Sequence, residues 1–149
     1  MKRFILCALI LSLIAPLTAF ADGLDVFLSN VNVQARVSLP DFSANISAQF
    51  GVPQARVQVV LGSVREPADA FMVFQLAQMS GRSPEQVMNV YGPNKDKGWG
   101  VMAKELGIKP GSADFHALKN GNLTYKGKPS GNNDSSGNGK GKSKDKGHK

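Results

Sequence analysis

The chain has 149 residues, with 18 Lys+Arg against 11 Asp+Glu and a formal net charge of +7. That length excludes a large multidomain enzyme and a multi-pass membrane protein. Residues 1–21 carry +2, residues 22–120 carry nine cations and nine anions, and residues 121–149 carry seven Lys and two Asp, so the foldable part is neutral and the basic excess sits at the ends.

Lys2 and Arg3 precede a twelve-residue apolar run, Phe4 to Ala15, broken only by Ser12. Pro16 and the small-x-small pattern Ala19-Phe20-Ala21 follow. This is the pattern of a secretory signal peptide cleaved near Ala21–Asp22. The run is shorter than the roughly 20 residues that a bilayer-spanning helix needs, so the mature chain is expected to have no transmembrane segment. An exported bacterial protein, periplasmic or extracellular, is expected. The one cysteine, Cys7, lies inside the apolar run. After cleavage the chain has no disulfide, thiolate metal site or cysteine nucleophile.

Residues 24–39 fit two patterns. Val31, Val33, Ala35, Val37 and Leu39 alternate with polar residues, as in a half-buried strand or hairpin. Leu24, Phe27, Leu28, Val31 and Ala35 also share a helical face. The valines favour extended structure.

From residue 40 to 120 the reading is helical. Phe42, Ile46 and Phe50 fall at i, i+4 and i+8, with Asp41 or Ser43 as candidate caps. Val57, Val60 and Leu61 mark a helix over roughly 54–63, with Val59 also assigned to the core. Residues 70–79 contain eight apolar residues in ten and predict the most buried, central helix. Ser83-Pro84-Glu85 opens a short helix carrying Val87, Met88, Val90 and Tyr91. Trp99 to Leu106 and Ser112 to Leu118 give the last two.

Three stretches share one layout: a helical run ends at Gly51, Gly81 or Gly107, and Pro or Ser opens the next segment. A left-handed glycine closing a helix ahead of a turn and a second helix explains it. The spacings of 30 and 26 residues are too irregular for a solenoid. The expected fold is mainly α, a compact bundle of about five or six short helices in helix-turn-helix-like hairpins spanning 22–120.

From Gly121 the chain turns to Gly, Lys, Asn and Ser, with Leu123 and Tyr125 its only large apolar residues. Residues 121–149 are therefore expected to be a disordered tail. Lys140, Lys142, Lys144 and Lys146 form its basic core. Such a tail suits electrostatic attachment to an anionic polymer, whether DNA, lipid or polysaccharide, without base recognition.

The segment Gly98-Trp99-Gly100-Val101-Met102-Ala103-Lys104-Glu105-Leu106-Gly107-Ile108-Lys109-Pro110-Gly111-Ser112-Ala113-Asp114-Phe115-His116 resembles a motif of small exported bacterial proteins of unassigned function. The resemblance implies a secreted helical domain and no particular activity. Ile46-Ser-Ala-Gln-Phe-Gly-Val-Pro also resembles the first helix and turn of DNA-binding helix-turn-helix units. Export and the neutral domain oppose operator binding, although Gln54, Arg56 and Gln58 are residue types that read bases.

The domain lacks an evident catalytic constellation. His116 is its one histidine, and Asp114 lies at i−2, which does not face it on a helix. No second histidine supports a zinc site, and no cofactor or metal is implied. Trp99, set between Gly98 and Gly100, is either an anchor between hairpins or an exposed contact. Lys95, Lys97 and Lys104, together with Lys109, offer a positive rim around it. The sequence thus points to an exported, non-enzymatic binding module for a protein or envelope component, with the tail adding attachment. Two alternatives are an enzyme or accessory domain using Asp69, Glu85 or Asp114 with His116, and a non-specific nucleic-acid binder acting through the tail.

Overall fold

The computed structural model describes residues 23–127; residues 1–22, with the expected signal segment, and Lys128 onward lie outside the described residues. Within that range the chain is a bundle of seven short helices with no β-strand. They are α1 (Gly23–Val37), α2 (Leu39–Phe50), α3 (Gln54–Leu61), α4 (Pro67–Ser80), α5 (Pro84–Asn94), α6 (Trp99–Glu105) and α7 (Ala113–Asn120).

The strand or hairpin expected over residues 24–39 is replaced by α1 and the start of α2. Leu24, Val31 and Ala35 are buried on one face of α1, and Phe27 and Leu28 pack beside them. Val33 and Val37, which created the alternation, are 59% and 66% exposed. The helix buries three apolar side chains and packs two partly buried ones beside them, with the Phe27 ring 5.3 Å from that of Phe71 on α4. An isolated strand would have had no ladder partner, so tertiary burial overrides the β preference of valine.

Local signals set the other boundaries. The cap of α2 is Ser38, whose hydroxyl accepts from the Asp41 N–H at 3.3 Å, rather than Asp41 or Ser43. Pro40 occupies the first turn, where its missing N–H costs little. Glu66 and Asp69 form a reciprocal capping box at α4, as do Ser83 and Gln86 at α5. Ser112 caps α7 through the Phe115 N–H at 3.2 Å. Gly51 and Gly81 close α2 and α4 in the left-handed conformation, at φ 65° and 66°.

Helix α4 is the hub. Ala68, Ala70, Phe71, Met72, Val73, Phe74, Leu76 and Ala77 are all buried, and α1, α2, α3 and α5 pack around it. The expected hairpins are α2–α3, α4–α5 and α6–α7, each a contacting pair. The bundle closes where α1 meets α7: a Cβ on Gly121 would collide with the Gly23 carbonyl and sit 2.9 Å from the Leu24 nitrogen.

The packed unit continues past the expected boundary at Gly121. Residues 122–126 run as an extended strap, with Leu123 and Tyr125 against the core. Successive residues of an extended chain point to opposite sides, so these two apolar residues reach the same surface. Two apolar side chains in a polar segment suffice here because the bundle already offers them a floor.

Candidate interaction surface

Trp99 begins α6 and is half-buried. Its indole stacks on the Tyr91 ring, with centroids 5.6 Å apart and planes 27° apart. One face therefore anchors the α5–α6 junction. Gly98 precedes it at φ 86°, a conformation open to glycine, and lets the chain turn sharply out of α5.

The Tyr91 ring is held from behind. Its hydroxyl donates to Asp69 Oδ2 at 2.8 Å and accepts from the Arg65 N–H at 3.3 Å. Asp69 Oδ2 also accepts the Glu66 N–H, and the Arg65 guanidinium reaches Asp96 Oδ1 at 2.6 Å. Burial, reinforced by the Asp69 carboxylate, pushes the Tyr91 phenol up to about 12. Buried Asn94 donates to Val90 O and to Glu105 Oε2, fastening α5 to α6.

Lys95, Lys97 and Lys104 are exposed, as is His116 on α7. Lys95 and Lys97 lie in the turn before Trp99, while Lys104 lies about 140° around α6 from it at 100° per residue. Lys104 therefore does not share the Trp99 side of α6. The three ion pairs among the described residues, Arg36–Glu66, Arg56–Glu85 and Arg65–Asp96, all use arginine. None of the six described lysines is in one.

Two of the acid–base groups weighed in the sequence have other partners. Asp69 is committed to Tyr91 and its cap, and Glu85 pairs with Arg56 at 3.2 Å. Backbone N–H bonding at the helix start, then the Ser83 hydroxyl, hold the Glu85 carboxyl below its usual value. That is the wrong direction for a carboxylic acid poised near neutral pH. Among the described residues no group of three or more His, Cys, Asp or Glu stands close enough to hold a metal ion. No described helix is long and apolar enough to cross a membrane.

Two surface depressions lie elsewhere. A groove of about 360 Å³ between α2 and α3 is lined by Leu39, Pro40, Ser43, Gln58, Leu61 and Gly62. A more polar one of about 320 Å³ runs beside the strap, between Gln49 of α2 and Gln75 and Gln78 of α4. Neither is lined by Trp99, His116 or the carboxylates considered above. Lys140, Lys142, Lys144 and Lys146 lie outside the described residues.

The Gly98–His116 motif maps onto the α6–α7 hairpin. Gly98, Gly107 and Gly111 take positive φ, Ser112 caps α7, and Gly100 lies under the Phe115 ring. These residues are accounted for by the turn geometry of the hairpin. Among the helix-turn-helix residues, Arg56 pairs with Glu85, and Val57 and Val60 are buried, but Val59 is 69% exposed rather than in the core. Sequence reasoning missed Gln49, which clamps the strap, and Asn45, which meets Tyr125. Compared with known proteins, the chain matches no family model, no curated protein and no solved structure.

Proposed function

We propose that the protein is an exported, non-enzymatic interaction module that attaches to an anionic partner in the cell envelope. The observation that carries this reading is the lysine surface. Lys95, Lys97, Lys104, Lys109, Lys119 and Lys126 are exposed, and no ion pair among the described residues engages them. Unpaired ammonium groups keep their full attraction for an external anion, weakened only by salt. The tail lysines Lys140, Lys142, Lys144 and Lys146 would add to the same field. Trp99 supplies a half-buried aromatic beside Lys95 and Lys97.

The test uses the full exported chain and a Lys95→Glu/Lys97→Glu/Lys104→Glu variant. Co-sedimentation is measured with phosphatidylglycerol vesicles against phosphatidylcholine vesicles, and retention on an immobilised acidic polysaccharide, at low and high salt. Binding to an anionic material that falls with salt and weakens in the variant supports the reading. Absence of binding to both anionic materials at low salt removes it.

A further inference from the structure

The strap is held in a manner that does not depend on its own helix. The Gln49 carboxamide donates from Nε2 to the Thr124 carbonyl at 2.7 Å and accepts the Lys126 N–H on Oε1 at 2.8 Å. One side-chain amide thus satisfies an acceptor and a donor of an extended backbone, as a neighbouring β-strand would. The Tyr125 ring lies 5.4 Å from Phe42 and 6.0 Å from Phe71, edge-on to the latter. Its hydroxyl accepts from Asn45 Nδ2 at 3.4 Å. Leu123 packs on the same core two residues earlier. The partners of Thr124, Tyr125 and Lys126 named here all come from α2 or α4. The last backbone bonds tying the strap to α7 are those of the helix end, Gly121 N–H to Leu118 O and Asn122 N–H to Ala117 O.

We infer that the α2–α4 surface is a binding groove for an extended peptide of Leu-x-Tyr pattern, filled by the chain's own residues 122–126, and that its external ligand is the same strap of a second copy. The groove reads main-chain groups through Gln49 and an aromatic side chain through Phe42, Asn45 and Phe71. A strap delivered by another copy makes identical contacts. Each molecule carries both groove and ligand, so exchange about Gly121 gives a closed, reciprocal pair. The inference is independent of the lysine surface.

Gln78 and Thr124 are both exposed, and both line the depression beside the strap. Thr124 engages Gln49 through its carbonyl, so its side chain is free to change. Two full-length variants, each with Cys7→Ser, carry Gln78→Cys or Thr124→Cys. They are incubated together at high concentration, then diluted and treated at once with a short bis-maleimide. Exchange predicts a mixed covalent dimer about tenfold above either symmetric dimer, because a seated strap holds the two thiols at high effective concentration. Adding Tyr125→Ala to the Thr124→Cys chain should remove that excess. A mixed dimer no more abundant than the symmetric ones, or an excess unchanged by Tyr125→Ala, overturns the inference.

Discussion

The Tyr91 hydroxyl donates to Asp69 Oδ2 at 2.8 Å and so ties α5 to the first turn of α4. The same carboxylate closes the α4 capping box, and the same tyrosine carries Trp99 on its ring. One polar pair thus links the helix hub to the aromatic at the candidate surface. Tyr91→Phe deletes the hydroxyl and keeps the ring. It leaves Asp69 its bond from the Glu66 N–H but strips the Arg65 N–H of its acceptor. A loss of about 1 kcal/mol in urea unfolding is expected. Native Trp99 fluorescence should barely move, because the stacking partner remains.

Both tyrosines of the chain, Tyr91 and Tyr125, have phenols raised by burial, Tyr91 to about 12. The folded state therefore favours the neutral phenol. Its contribution to stability is complete below the ordinary value of 10 and is lost as pH rises through about 12 for Tyr91. Absorbance titration should show less tyrosinate at pH 10 in the native protein than in denaturant, where about half is ionised. In Tyr91→Phe the alkaline fall in stability should be shallower.

Helix ends were legible from sequence because they are local. Gly51, Gly81, Ser83 and Ser112 each act within a few residues of their own position. The density of apolar residues over 70–79 likewise announced α4 as the centre. What failed involved distant partners. Gln49 clamps residues 75 and 77 positions away in the chain, and nothing in its neighbourhood marks it as a clamp. The α1 valines misled because an alternating pattern and a helical face coexist over 24–39, and only α4 decides which is buried. The lysines near Trp99 were legible as a cluster in sequence, but the turn of α6 that carries Lys104 away from Trp99 was not.

Gly51 and Gly121 have nearly the same left-handed φ, 65° and 67°, in opposite surroundings. A Cβ at Gly51 meets nothing within 4 Å, while one at Gly121 collides with Gly23 backbone. Gly51→Ala should therefore cost only the left-handed strain, about 1–2 kcal/mol. Gly121→Ala adds a backbone clash and should cost about 3 kcal/mol or more, with α1 displaced from α7. Thermal unfolding followed by circular dichroism orders the two. Equal costs would contradict the α1–α7 seam.

Val57 and Val59 are two residues apart on α3 and differ completely in burial, 0% against 69% exposed. On a strand they would share a face, whereas on a helix they stand about 200° apart. Val57→Ala removes two buried methyl groups and leaves a cavity beside α2 and α4. A loss of about 2 kcal/mol is expected. Val59→Ala loses little burial and replaces a β-branched residue with the best helix former, so its effect should be neutral or stabilising by about 0.5 kcal/mol. Chemical denaturation of the two variants reads the orientation of α3 directly. If Val59→Ala were the more damaging, α3 would have to be rotated by half a turn, and the groove lined by Gln58 and Leu61 would not exist in this form.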